Sequence, residues 1–418
     1  MRELARPEAD VQAWIETFAG DMLKVDELEA LVGQLNRELL NEVPQLAEEP
    51  DVLRDLQAST GALIAHLLAE MAKDPASEFE FPPPAVEFAR TLARHGHDVG
   101  QLMRLYRIGQ RVFWRKVMHS VADQIDDGDL RMRVLTFLWE QSSRVLDHNL
   151  DVLAAAHGEE SERRMRGALA RRTETVQAIL RGDQLSADEA TVRLGHNVRR
   201  WQTALVVWAG DAGGIDTSER LESVAVEAAA AVDAPRPLTI RADAHTVWAW
   251  LATGPAPTLA AIGEIAALRV DRGLRIAVGM PALGVPGLRS SHREALRAQR
   301  VVTRLADPPQ VTLYTDVEVL SCLSEDEEAM RALVRRELGQ LARPGVLEAR
   351  LRQTALAYLR VGGSARRAAT ELGLHKNTVL YRLRQIEQVL GRSLTERRLP
   401  TELALMLAEA YQGRVLTG

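Results

Sequence analysis

Cysteine is nearly absent: Cys322 is the only one in 418 residues. One thiol excludes an intramolecular disulfide and any zinc site built from several cysteines, and it fits a reducing compartment. Long apolar runs are missing too. The longest, such as 203–209 and 225–232, the latter interrupted by Glu227, fall well short of the roughly 18 residues that a bilayer span needs. The opening residues, MRELARPEADVQAWIETF, lack the apolar core and small-residue cleavage site of a secretory signal. The expectation is a cytoplasmic chain that meets no membrane. Internal repeats and low-complexity tracts are likewise not found.

What is present is enough chain for two or three domains and an uneven charge. The total is -6, but residues 347–418 hold twelve Lys and Arg against six Glu, so this end carries about +6 and the remainder about -12. A basic end on an acidic body is the electrostatic footprint of a tethered nucleic-acid-binding module.

Residues 1–156 read as successive helices, an all-α bundle with Leu53, Leu56, Leu63, Leu67 and Leu68 at helical spacing and Pro82-Pro83-Pro84 opening a new helix. The run 157–182 is highly charged yet keeps Met165, Leu169, Val176, Ile179 and Leu180. Such a helix bridges domains or pairs with its copy; the alternative is a solvated single helix. From 183 to 325 the pattern is α+β. Strand-like runs at 203–209, 238–241, 246–251, 274–278 and 311–314 alternate with helical runs at 218–232, 258–270 and 291–305, and a hairpin is expected at Asp243-Ala244-His245. Residues 326–418 are helical again.

Within that last segment, Ser364 is a good N-cap for a helix through Ala368, Ala369 and Leu372. Gly373 stands where that helix must stop with positive φ, and Leu374 plugs the space before a second helix. These are the steric demands of a helix-turn-helix. At about 100° per residue, Val379, Leu383, Ile386 and Leu390 form one apolar stripe on the second helix. Asn377, Tyr381, Arg384, Gln385 and Gln388 lie opposite. Amide, phenol and guanidinium groups read base edges and phosphates, and Lys376 and Asn377 occupy the first turn, the part of a recognition helix that reaches bases. A hairpin whose polar face merely meets water is the alternative, but solvated helices normally carry glutamate and 376–390 contains only Glu387.

The run His375, Asn377, Thr378, Val379, Tyr381, Arg382, Leu383, preceded by Gly362-Gly363-Ser364 and followed by Leu390-Gly391-Arg392, closely resembles the C-terminal helix-turn-helix of the PucR/CdaR family of bacterial transcriptional regulators. Upstream, Ala277-Val-Gly-Met-Pro with 287–298 is similar to the GGDEF-like domain of that family. The stretch 94–114 resembles the RsbR-type helical sensor domain. The resemblance implies a DNA-binding regulator without enzymatic activity or cofactor. Its candidate DNA contacts are Ser364, Arg366, Arg367, His375, Lys376, Asn377, Thr378, Tyr381, Arg382, Arg384 and Gln385. Its partners would be double-stranded DNA, a second copy in a homodimer or higher even oligomer, and a small-molecule effector. A competing expectation is a stress-signalling scaffold that acts by protein–protein interaction through its RsbR-like N-terminal domain.

Three other chemistries are weighed against the residues. An active cyclase hairpin needs a glycine pair and adjacent acids, whereas 241–246 has no glycine and only Asp243. Ser290-Ser291-His292 lacks a Gly-x-Ser-x-Gly elbow, and Ser291 with Glu294 reads as a capping box opening a helix. His95-Gly96-His97 with Asp98 makes a strained chelate, so no metal is expected. Finally, Arg104, Arg107, Arg111 and Trp114, with Tyr106 and Gln110, are candidates for an effector pocket. The alternative puts Leu105, Ile108 and Val112 in the core and leaves the arginines in solvent.

Overall fold

The computed structural model describes residues 7–74, 80–210, 218–271 and 273–416, without the side chains of 144–148, 218 and 259. Part of the N-terminal reading, residues 1–6, lies outside them. The chain divides into two compact units, residues 1–170 and 171–418.

The first unit is all helix: α1 (Ala9–Met22), α2 (Val25–Glu42), α3 (Pro50–Lys73), α4 (Pro83–His95), α5 (Val99–Gln124) and most of α6 (Gly128–Arg181). Proline at the first turn opens α3 and α4, where its missing N–H costs nothing. One core gathers Ile15, Phe18, Leu35, Leu68, Val117 and Val134; another gathers Leu46, Phe88, Leu92, Leu102, Leu105 and Leu153. α6 runs without interruption for 54 residues, through the boundary between residues 156 and 157 drawn from the sequence. A rise in charge does not break a helix; only proline or several glycines would, and this run contains no proline.

The second unit begins with the end of α6. There follow α7 (Ala187–Leu194), β1 (Trp201–Ala209), α8 (Ser218–Ala231), β2 (Leu238–Arg241), β3 (Thr246–Thr253), α9 (Leu259–Ala266), β4 (Leu274–Val278), β5 (Ala282–Leu283), α10 (Gly284–Val302) and β6 (Val311–Leu313). The sheet order is β2-β3-β1-β4-β6, with β5 beside the start of β1; only β4 and β6 run parallel. β1 is buried on both faces. Ala204, Val206 and Trp208 share a core with Ala295 and Ala298 of α10, while Leu205 and Val207 pack with Leu221, Ala225 and Ala228 of α8, as period-two alternation requires. The hairpin at 242–245 is present, closed by Ala242 N donating to Thr246 O and by the Asp243 carboxylate accepting from His245 N.

The expected capping box at Ser291 is not formed. α10 starts seven residues earlier, with Pro286 in its first turn, and Ser291 is fully buried within the helix. Its Oγ accepts from Ala204 N of β1 at 2.8 Å, and Glu294 accepts from Met280 N at 2.8 Å. Both side chains therefore fasten α10 to the sheet. Gly279 is the counterpart on the sheet side: a Cβ there would stand 1.9 Å from Ser291 O, so only glycine admits the helix.

The last helices are α11 (Tyr314–Leu323), α12 (Glu327–Leu338), α13 (Val346–Arg360), α14 (Ala365–Leu372), α15 (Lys376–Leu390) and α16 (Arg398–Tyr411). The apolar residues of the charged end of α6 divide. Val176 and Ile179 are buried in the core of this second unit, so they are not available as contacts for a second copy, whereas Met165 and Leu169 are exposed.

Candidate nucleic-acid interface

α14 and α15 are built from local signals. Ser364 Oγ accepts from Arg367 N at 3.3 Å and caps α14. Gly373, at φ 62°, ends it in the left-handed conformation that glycine adopts without a Cβ clash. Leu374 N then donates back to Ala369 O at 2.9 Å. His375 caps α15, its Nδ1 accepting from Asn377 N at 3.2 Å. The buried Ala368 and Ala369 let α15 approach closely, and Val379, Leu383 and Ile386 fill the contact from the other side.

The opposite side of α15 is open. Lys376, Asn377, Tyr381, Arg384 and Gln388 are exposed, and Gln385 Nε2 donates to the Tyr381 hydroxyl at 3.3 Å. Glu387, the one acid of the helix, does not join them. It turns toward the following loop, accepting from Ser393 Oγ at 3.1 Å and Leu394 N at 3.4 Å. The exposed face is therefore cationic and amide-bearing and begins at the N-terminus of α15, a combination suited to phosphate and base edges.

The candidates divide in their surroundings. Arg366, His375 and Lys376 are exposed and Thr378 is half-buried in the first turn. Arg367 is exposed but sends Nη2 to Val361 O at 2.7 Å. Arg382 is half-buried and directed at α13, with Nη1 donating to Thr354 Oγ1 at 3.2 Å. It lies about 140° from Asn377 around the helix, beside the apolar stripe. The bond to Thr354 ties α15 to α13.

Sequence reading missed the cluster that braces this arrangement. Glu337 of α12 is 2% exposed and accepts from Arg397 at 2.7 and 3.1 Å and from Arg392 at 3.1 Å. Arg392 also donates to Thr401 Oγ1 at 2.9 Å. The Arg397 hydrogen bond, working against the effect of burial, holds the Glu337 carboxyl below the usual carboxylate range. Arg392 and Arg397, two of the twelve bases that make this end of the chain positive, are thus engaged internally. Arg352 is too, donating to Leu341 O and Arg343 O.

In the first unit, Arg104, Arg107 and Arg111 are exposed on α5, and they are not among the residues that line the cavity between α2, α3, α4, α5 and α6. Trp114, Tyr106 and Gln110 are. Asp98 caps α5 through Gln101 N at 2.8 Å and does not join the histidines. Instead His95 and His97 face Glu49, at 2.6 and 3.2 Å. Among the described residues no group of three or more His, Cys, Asp or Glu is arranged to hold a metal, and no helix is long and apolar enough to cross a membrane.

Three family models match in sequence order. Residues 29–172 match the N-terminal domain of RsbT co-antagonist protein rsbRD, 180–301 a GGDEF-like domain, and 351–408 the PucR C-terminal helix-turn-helix domain. The chain has the PucR/CdaR architecture. The PucR-type helix-turn-helix implies DNA binding, and its match covers both α14 and α15. A curated relative, an uncharacterized protein in the pkwA 5′ region of Thermomonospora curvata, is 35% identical over 112 residues, which are 27% of this chain; the match spans 62% of the relative's length. The crystal structure of a regulator of polyketide synthase expression from Bifidobacterium adolescentis shares 18% identity. Its match covers 57% of this chain and 97% of that one at a TM-score of 0.29, too low to bear on the fold.

Proposed function

We propose that this PucR/CdaR-type chain is a cytoplasmic, sequence-specific transcriptional regulator without a catalytic step. It binds double-stranded DNA through α15 and answers to an effector through its N-terminal domain. The observation that carries this reading is the acid-free outer face of α15, from which Glu387 is turned away. Asn377 in the first turn is the candidate base reader. Lys376, Arg384 and Arg366 are the candidate phosphate contacts. The middle domain serves as a body between sensor and DNA-binding end: its hairpin lacks the glycine pair that would let backbone approach a nucleotide phosphate, and the Asp243 carboxylate is used in the turn.

One recognition helix buries too little surface for useful specificity against a genome of competing sites, so the active species is a homodimer or higher even oligomer. Two copies read half-sites about 34–36 Å apart, or a multiple of that spacing, and the operator is an inverted repeat. Met165 and Leu169, exposed on α6, are the candidate contacts between copies.

The test is selection of bound fragments from genomic DNA, followed by variants on the operator found. Asn377→Ala should cost about 1–3 kcal/mol of specific binding, while Arg384→Ala should weaken all sequences alike. Wild-type binding by both variants contradicts the assignment. The RsbRD-type match over 29–172 favours a second reading, a scaffold acting by protein–protein contact; a chain that gives no salt-dependent mobility shift with its selected DNA would support it.

A further inference from the structure

The helical unit holds a cavity of about 160 Å³ among α2, α3, α4, α5 and α6. Aromatic residues are scarce in this chain, seven Trp, five Tyr and six Phe. Five of those 18 line this one space: Phe81, Phe88, Tyr106, Phe113 and Trp114. Phe81 stacks on Tyr106 at 5.4 Å between ring centres, and Trp114 packs against Trp139 at 5.5 Å. A well-packed bundle leaves few voids larger than a water molecule, and this one exceeds that several-fold.

Its polar groups are few and specific. The Tyr106 hydroxyl is buried and has no hydrogen-bond partner at bonding geometry, though the Ser59 hydroxyl is its polar neighbour. Burial pushes the phenol's pKa upward, so it stays a neutral donor. Ser142 Oγ, on the α6 side, accepts from Trp114 Nε1 at 3.2 Å. The only charged lining residues among those described are the acids Glu70 and Asp74; no Lys, Arg or His contributes. An anion is therefore disfavoured. An apolar wall with one unsatisfied hydroxyl is the usual composition of a small-molecule site, in which burial supplies affinity and the polar group supplies orientation.

We propose that this cavity is a binding site for a neutral, largely apolar small molecule, aromatic or alicyclic, that carries one hydrogen-bonding group placed at Tyr106. In the regulator reading above, on which this last step rests, the ligand is the effector. Of the candidates named on α5 from the sequence, Tyr106, Gln110 and Trp114 line the cavity, and Arg104, Arg107 and Arg111 do not. The arginines lie roughly 100–160° around the helix from Tyr106, whereas Gly109, Gln110, Phe113, Trp114 and Val117 lie within about 80° of it.

The full chain is titrated, without DNA, with N-phenyl-1-naphthylamine, a neutral apolar dye bearing one N–H. Saturable fluorescence enhancement in about the micromolar range is expected. Gly109→Leu fills the cavity: a Cβ there would meet only Leu35 Cδ2, at 4.0 Å, so the larger side chain enters the void. It should weaken binding about tenfold or more while leaving the melting midpoint equal or higher, since a helix-interior glycine is also removed. Tyr106→Phe, which keeps the ring, should weaken it several-fold. Gly20→Leu, at an exposed site with nothing within 4 Å, should leave it unchanged. No saturable binding, or equal binding by Gly109→Leu and wild type, overturns the site. Tighter binding of the sulfonated dye 8-anilinonaphthalene-1-sulfonate overturns the neutral class. Because the dye is read without DNA, its failure leaves DNA binding standing, and a chain that binds no DNA leaves the pocket standing.

Discussion

Two helices of this chain carry arginines at helical spacing, and their settings are opposite. On α5, Arg111 pairs with the Glu42 carboxylate, Arg104 reaches Glu42 O at 3.4 Å, Arg115 meets Glu38 at 3.2 Å and Lys116 meets Glu27 at 3.6 Å. α2 supplies every one of those partners. On α15, Arg384 and Lys376 stand on a face that no acid shares. An arginine row is thus a binding surface or a strap between two helices according to what lies across from it, and the partner helix can be far away in sequence.

The largest expected effect comes from breaking the brace behind the open face. Glu337→Gln leaves Arg392 and Arg397 without their anion and should destabilise the C-terminal domain by about 3 kcal/mol, as removal of one partner from a buried pair does. Thermal or urea unfolding measures it. The effect has a pH signature. The folded-state pKa of Glu337 is depressed, so its contribution is fully present above the unfolded value of about 4.3 and is lost as pH falls through the lower folded value. The wild type should lose this increment on acidification and the variant should not.

Next comes a transplant of the α2 situation onto α15. Gln388→Glu puts an acid on the open face and should weaken operator binding roughly tenfold, by repelling phosphate, with stability nearly unchanged. The smallest effect is expected from Arg111→Ala. It removes an exposed pair worth less than about 1 kcal/mol of stability and should leave DNA affinity at the wild-type level in a mobility-shift titration.

How much of this was legible depended on sequence distance. The helix-turn-helix is written in adjacent residues: Ser364, Gly373 and His375 cap or end helices through bonds reaching at most a few positions along the chain. Strands β2 and β4 begin and end where β-branched runs do, and Asp243-Ala244-His245 turns as expected. Ser291 and Glu294 fit the spacing of a capping box yet bind Ala204 and Met280, 87 and 14 residues away. Glu337 meets Arg392 and Arg397 over 55 and 60 residues. No local pattern marks such pairs. Of the candidates on α5, Tyr106, Gln110 and Trp114 line the cavity and the arginines do not, a division that only the packing of α2, α3 and α6 against α5 shows.

The salt dependence of operator binding tests the central claim most directly. Each phosphate contact contributes about 0.9 to the slope of log affinity against log salt. Lys376→Ala with Arg384→Ala should reduce that slope by roughly two relative to wild type, whereas Arg104→Ala with Arg111→Ala should leave it unchanged. An unchanged slope in the α15 pair, or an equal reduction in the α5 pair, would contradict the assignment of DNA binding to the open face of α15.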